Sequence, residues 1–514
     1  MTHFRRHALL SAINLGLIGI PTANAAGTEA LEQRIRELES RLERFEKATA
    51  TAPVPAATSA AQPSPEVEKL NRKINTLERK FEVEQEVTAT NNARLPKFDA
   101  GSDGFRITSS DNKHQVRIRG AVQTDARFYT GGSTTATDKF ELKQARIWLE
   151  GKFWDSLYYK IMPDFAATNI LPDAYLDYAY LPYASLSVGK QKTPLSLERL
   201  QGDSDGMFLE RAFPTYLASN RDVGVMLHGS FAKPGYKADY AGPVDFKNFI
   251  SYQVGVFNGS GDDGSPDKNS PDTDDDKEFV GRIWAHPFQH SGYSWAEGFG
   301  LGIAGSWERP SRQALAAQKT PIGRTTYLDY TKLRSTFADD GTTAATKALL
   351  ADGVHYRVYP QAYWYAGPFG VMGEYVLSAQ NVVNRDGRPV RTQLNNSAWQ
   401  VQLSYVLTGE DNTFQSVKPM RPFNPLEGSW GAFQVAGRWS EFNVDNSAFT
   451  ILDPTKSIKH ATAWAVGVNW FINQNARIMA DYEQTYYDGG AGITRLVSNR
   501  PSENVFATRF QLAF

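Results

Sequence analysis

Basic residues recur on one parity of alternating segments, as the wall of a charged channel requires. In the stretch His114–Tyr129, Arg117, Arg119 and Arg127 share a face with Gln123 and Asp125, while Val116, Ile118, Val122 and Phe128 share the other. Arg146 falls on one face with Glu150 and Lys152, Lys160 with Asp164, and Arg282 and Arg438 also alternate with apolar neighbours. Guanidinium groups on a water-facing wall attract anions and contact phosphate oxygens in forked geometry. Rings of Arg and Lys are how anion pores select. The competing reading is that these cations only neutralise nearby carboxylates. Seven aspartates, Asp262, Asp263, Asp267, Asp272, Asp274, Asp275 and Asp276, crowd the stretch Gly259–Lys277. Such oxygens could gather Ca²⁺ or bridge divalent ions to lipopolysaccharide, but the spacing matches no EF-hand, and a solvated acidic loop is the favoured reading.

Catalytic and cofactor motifs do not hold. Gly300-Leu301-Gly302-Ile303-Ala304-Gly305 matches GxGxxG, yet Phe299, Leu301, Ile303 and Trp307 alternate with small residues, so it reads as a strand rather than a nucleotide turn. P-loop, HExxH and GxSxG sequences are missing, and the eight histidines lack metal-ligand spacing. With no cysteine, disulfide scaffolds and thiolate metal sites are excluded. No enzyme activity, cofactor, metal or nucleic-acid partner is expected.

The elements that position these side chains are strands. Phe506, Thr508, Phe510, Leu512 and Phe514 lie on one side of the last segment, and Val505, Ala507, Arg509, Gln511 and Ala513 on the other. An open apolar edge invites aggregation, whereas a strand that closes a membrane barrel has no such edge. Trp399, Val401, Leu403, Tyr405 and Leu407 alternate with Gln400, Gln402 and Ser404; Trp464, Val466, Val468 and Trp470 precede the turn Asn473-Gln474-Asn475; Ile478, Ala480 and Tyr482 alternate with Arg477, Asp481 and Glu483. Lipid on one side and water on the other demand this pattern. Trp154, Tyr178, Tyr180, Tyr363, Tyr365 and Trp470 are expected in interfacial girdles. Mean hydropathy is -0.44 and the formal charge is -1, compatible with a barrel whose every second residue faces water. A soluble sandwich explains the alternation but not the two ends of the chain.

Residues 1–25 read as a secretory signal peptide: Arg5, Arg6 and His7, an apolar run from Ala8 to Ile20, and the small-residue site Ala23-Asn24-Ala25. Two heptad segments follow, 28–47 (Leu31, Ile35, Leu38, Leu42, Phe45) and 66–87 (Val67, Leu70, Ile74, Leu77, Phe81), joined by an Ala/Pro/Thr linker over 48–65. They form either a hairpin within one chain or, as favoured, a self-associating coiled coil. Residues 103–514 make the outer-membrane barrel; at roughly 25 residues per strand it holds about 16 antiparallel strands. Tyr365-Ala366-Gly367-Pro368 suits a periplasmic turn, and Gly259–Lys277, Pro310–Gly353 and Ala379–Asn396 suit extracellular loops. An even strand number places both barrel ends, and hence the coiled coil, in the periplasm.

Gly189-Lys190-Gln191-Lys192-Thr193-Pro194-Leu195-Ser196-Leu197-Glu198-Arg199, Phe208-Leu209-Glu210-Arg211 and Arg221-Asp222-Val223-Gly224 resemble the phosphate-selective porin O/P family. So do Ala145–Gly151, Leu407-Thr408-Gly409-Glu410, Gly467-Val468-Asn469-Trp470 and Arg509–Phe514, in the family's order along nearly the whole barrel. The resemblance implies a trimer of 16-stranded barrels whose third loop folds inward as a constriction. It implies too that Arg199 and Arg211 match basic residues of the central anion site and Arg146 one on the adjoining strand. Lys143 and Gln144 stand where phosphate-specific members carry paired arginines, and Gly202 and Asp203 where hydroxyls are expected. A carboxylate about 4 Å from an arginine contributes roughly 4 kcal/mol at an effective dielectric near 20, enough to cancel it. The expectation is a homotrimeric porin, surrounded by lipid and lipopolysaccharide, for passive diffusion of small hydrophilic solutes. Anions such as phosphate or polyphosphate are preferred rather than strictly selected. The alternatives are a weakly selective or sugar-tolerant porin, or an envelope tether built on the coiled coil.

Overall fold

The computed structural model describes residues 37, 40, 41, 44, 65–131, 136–168, 170–262, 274–333, 348–384, 391–492 and 496–514. They divide into two compact units, Met1–Pro96 and Lys97–Phe514. The first contributes one long helix, α1 (Pro65–Arg94), opened by a proline whose missing N–H is harmless at that position. Leu70, Ile74, Leu77 and Phe81 are less exposed than most of the charged residues between them, and Ile74 is buried. The heptad seam expected over 66–87 is thus the face of a helix that runs on to Arg94. Of the segment 28–47 only Glu37, Ser40, Arg41 and Arg44 are described, all helical. The described residues therefore hold a single long helix where a paired coiled coil was expected. The signal peptide over 1–25 and the linker over 48–64 lie outside the described residues.

The second unit starts with a hairpin, β1 (Lys97–Gly101) and β2 (Gly104–Thr108). The barrel wall follows with β3 (Gln115–Tyr129), β4 (Lys139–Phe153), β5 (Leu157–Met162), β6 (Asp173–Leu181), β7 (Ala184–Lys192), β8 (Arg221–Phe231), β9 (Ile250–Phe257), β10 (Glu278–Ala285) and β11 (Phe299–Glu308). Short strands β12 (Gln313–Ala314), β13 (Gln318–Lys319) and β14 (Thr326–Leu328) lie in the next link. The wall resumes with β15 (Leu349–Ala366), β16 (Phe369–Asn384), β17 (Arg391–Val406), β18 (Ala432–Asn443), β19 (Ile458–Phe471), β20 (Ala476–Gly489) and β21 (Glu503–Ala513). Each wall strand is antiparallel to the next, and β21 pairs with β3, which closes a barrel of 16 strands. With an even number, β3 begins and β21 ends at one rim, the closing rim; the third connection at the opposite loop rim is 193–220.

Alternation sorts the wall as expected. On β21, Phe506, Phe510 and Leu512 are 40–52% exposed on the outer face, while Val505, Ala507, Arg509 and Gln511 are buried in the lumen. Phe299, Leu301, Ile303 and Trp307 of the GxGxxG stretch follow the outward parity of β11, with Leu301, Ile303 and Trp307 well exposed. Glycine is needed there on the inner side, where a Cβ at Gly300 or Gly302 would meet the ring of the fully buried Trp284 at 2.5 and 2.6 Å. Two expectations are corrected. Tyr363 and Tyr365 are buried in the lumen beside Trp284, and the outward aromatic of that strand end is Trp364. Ala379–Asn396 is mostly strand, because polar residues such as Gln380 and Asn396 face the lumen rather than a loop's solvent; only 385–390 links β16 to β17.

At the seam, β3 shares one edge between two partners. Its first residues pair with β2, from Gln115 to Ile118, and its later ones with β21, from Ala121 to Tyr129. Between them Gly120 and Phe514 exchange both backbone hydrogen bonds at 2.9 Å, and a Cβ on Gly120 would lie 2.6 Å from Cζ of the Phe514 ring. Gly120→Val should therefore destabilise closure by about 1–3 kcal/mol. The expected readout is a lower temperature for conversion of the compact band on gels, partly restored by adding Phe514→Ala.

Candidate functional site

The third loop crosses the lumen as a strap fixed at both walls. Its apolar residues Leu195, Leu197, Phe213 and Leu217 are fully buried, which draws the segment inward. A short helical turn, Leu197–Leu200, is capped by Ser196. Glu374 of β16 reaches the same end, accepting from Leu197 N at 2.7 Å and Ser196 Oγ at 3.1 Å. Glu198 accepts from Gln400 at 2.8 Å, Gln402 at 2.6 Å and Ala212 N at 2.8 Å. Gln361 donates to Leu195 O at 2.8 Å and Tyr359 to Pro214 O at 3.1 Å. One wall thus holds the strap through β15, β16 and β17.

The opposite wall holds it through ion pairs. Asp203 accepts from Arg146 and Arg211 and lies 3.6 Å from Arg221. Glu210 accepts from Arg127 and Lys143, each at 2.5 Å, with Arg509 at 3.7 Å. Burial pushes both carboxyls up, but the surrounding cations outweigh it and hold both well below the usual range: Arg146, Arg211, Lys192 and Arg221 around Asp203; Lys143, Arg127, Arg324 and Arg509 around Glu210. Asp205 shows the reverse, since burial raises it and Arg477 compensates only in part. Asp125, Glu141 and Glu210 lie close enough to hold a metal ion, yet Arg127 already bridges all three, so this cluster is an ion-pair knot.

The structure brings together some of the residues singled out in the sequence. Arg146, Arg211 and Lys143 meet on the strap as above. Arg199 sits on the strap but is buried, donating to Thr215 O within the loop. Arg117 and Arg119 share Glu150, at 3.6 and 3.4 Å, near the closing rim. Lys160 pairs with Asp173 at 3.1 Å rather than with Asp164, which instead orients Arg146 at 2.7 Å. Arg438 pairs with Glu483 at 2.8 Å. Arg282 is buried against Phe246 and Trp284, its guanidinium 4.5 and 4.9 Å from the ring centres, with Gln253 accepting at 3.1 Å. In the acidic loop, Asp262 pairs with Arg357 at 2.8 Å, and Asp274 and Asp276 accept from the backbone of Ser311 and Arg309; Asp263, Asp267 and Asp272 lie outside the described residues.

Below the strap lies a vestibule of about 730 Å³ that the sequence did not disclose. Strap residues Gly202–Asp205 form one boundary and β3–β8 a curved wall. The ends of β19–β21, with Arg477 and Gln511, extend that wall, and chain that re-enters from the closing rim, Tyr240–Val244 and Gln415–Lys418, adds to it, tied to the strap by Gln201 donating to Phe414 O at 2.7 Å and Ser416 N to Asp205 at 3.2 Å. Its lining carries nine Lys and Arg side chains against five Asp and Glu side chains. Arg221, Lys192 and Arg477 were missed as site residues. Arg477 does lie on the polar parity of its strand, and Lys192 and Arg221 lie within the motifs that flank the strap.

A closed 16-strand barrel with an inward third loop and a charged lumen has the architecture of an outer-membrane porin. The chain belongs to the phosphate-selective porin O and P family, whose model matches residues 116–514. It is 24% identical over 159 residues to Porin O of Pseudomonas aeruginosa, a match covering 29% of this chain and 33% of that protein, so it spans about a third of the relative's length. Among solved structures, it is similar to OmpT, an outer membrane protein of Vibrio cholerae, at 14% identity, covering 78% of this chain and 98% of that one, with a TM-score of 0.47. It is also similar to an anion-selective porin from Comamonas acidovorans at 9% identity, covering 78% and 100%, with a TM-score of 0.44.

Two outcomes are expected. Because the folded Asp203 and Glu210 are depressed, their tether is complete above the ordinary carboxylate value, about pH 4, and is lost only as pH falls through the lower folded value. Single-channel conductance should accordingly hold steady from pH 7 to about pH 4 and become noisy only well below it, as pH falls through the lowered folded values. Glu374→Ala removes two hydrogen bonds to the strap, worth about 0.5–1.5 kcal/mol each, and should make residues 193–220 cleavable by added protease in otherwise intact barrels.

Proposed function

We propose that this porin passes small hydrophilic solutes by passive diffusion with a preference for anions, phosphate and polyphosphate among them. The observation that carries the reading is the cation excess lining the vestibule beneath the strap. In a confined, low-dielectric passage such an excess raises the local anion concentration and excludes cations. Toward the loop rim, Arg127, Lys143, Arg324 and Arg509 surround Glu210, so an anion would meet positive potential on either side of the strap. Arg146 and Arg211 act at the narrow point, while buried Arg199 acts by holding the strap's shape. Most of these guanidiniums already pair with carboxylates, which supports transient contact over retention, as throughput requires.

In the same reading the barrel works as a homotrimer in the outer membrane, with lipid and lipopolysaccharide around its apolar outer band. The amphipathic seam of α1 joins copies of itself in the periplasm. A tether role for that segment is secondary, and a pure tether would show no ohmic conductance.

In planar bilayers with a KCl gradient, the zero-current potential should report chloride preference. Lys192→Glu with Arg477→Glu should move it toward cation preference, while Arg199→Ala should lower stability and leave the potential nearly unchanged. An unaltered potential in the double variant would refute the assignment of the vestibule wall. Deleting residues 28–87 should weaken the trimer on unheated gels; an equally stable trimer would exclude the helical segment from assembly.

A further inference from the structure

A convergence of four cations in the lumen is aimed at a carboxylate that belongs to the protein itself. Asp203 receives Arg146 and Arg211, has Arg221 at 3.6 Å, and lies beside Lys192, whose Nζ donates to the carbonyls of Arg199 and Gln201 at 2.7 and 2.9 Å. Two of these guanidiniums do not depend on Asp203 for their position. Asp164 orients Arg146 at 2.7 Å, and Asp173 orients Arg221 at 2.6 Å. Forked donors that approach from several directions, each fixed by a separate carboxylate, form the donor set that grips a tetrahedral oxyanion. The backbone brings residue 203 into that set from outside. Gln123 donates to Asp203 O at 3.2 Å and Gln511 to Ser204 O at 3.1 Å, so strap and wall hold the carboxylate in place.

We infer that Asp203 is a built-in competing ligand: it fills a preformed oxyanion site, so that phosphate-like anions cross the constriction without being retained. The inference rests on the anion-preferring reading of the pore. A tethered carboxylate faces its partners at an effective concentration far above that of a diffusing solute, and it also adds a like charge that repels the solute. Glu210 is held by Arg127 and Lys143 in a parallel way, but Arg127 also carries Asp125 and Glu141, so that cluster is already saturated without the strap. Asp203 is therefore the carboxylate whose loss uncovers a site.

The test uses single channels of the full chain, with inorganic phosphate titrated into KCl. In Asp203→Asn the half-blocking phosphate concentration should fall at least about tenfold relative to wild type, since the amide removes the competing charge and keeps the shape. An unchanged value in a folded Asp203→Asn barrel overturns the inference; Asp203→Ser gives the same readout should the amide variant not assemble. Wild type supplies a separate arm. Its chloride current should be reduced no more by phosphate than by acetate at equal concentration, and a phosphate-selective block overturns the inference whatever the variants do. Zero-current potentials of the same wild-type channels report anion preference independently, so cation preference there would refute the proposed function while the phosphate titration still decides the role of Asp203.

Discussion

A barrel of sixteen strands is too wide for inward side chains to fill, and whatever chain crosses it must have its own polar groups satisfied. The rest of the lumen is arranged around that constraint. On one wall Glu374 accepts from the strap's backbone and the strap's Glu198 accepts from wall amides, and on the other Asp203 and Glu210 accept from arginine and lysine. Removing one partner of a buried pair leaves an uncompensated charge, a penalty larger than the net worth of the pair. The wall cations consequently serve the fold before they serve any solute.

The sequence made the wall legible to the extent that lipid and water impose opposite demands on neighbouring residues. Strand β21 reads directly from its alternation, and β3 shows the same parity with its arginines inward. The rule fails where the lumen face of a strand end carries the residue types expected of a loop or of a girdle. At 379–396 polar lumen residues imitate a loop, and at Tyr363 and Tyr365 lumen-facing aromatics imitate an interfacial girdle. The vestibule was illegible for another reason. It is assembled from re-entrant segments far apart in sequence, around Tyr240 and Gln415, that carry no periodic signature of their own. Partner choice was partly hidden too: Lys160 and Asp164 share a parity, but strand stagger gives Asp173 to the lysine and Asp164 to Arg146.

Charge in this lumen has two scales. Locally, most guanidiniums find a carboxylate, as the competing reading of the sequence held. Over the vestibule as a whole the cations remain in excess, and it is this average field that a diffusing ion experiences. A pore can therefore favour one sign of charge strongly while gripping no single ion firmly.

The divided edge of β3 bears on how such a barrel finds its final form. Period-two strands tolerate slippage by pairs of residues, because each such slip keeps apolar side chains facing outward. Here β2 already occupies Gln115–Ile118, so the arriving last strand meets a stop, and Phe514 reaches its place only when opposite Gly120. The small hairpin thus works as a gauge for the seam: with it in place a misaligned closure is obstructed, and without it several alignments of the same two strands would compete.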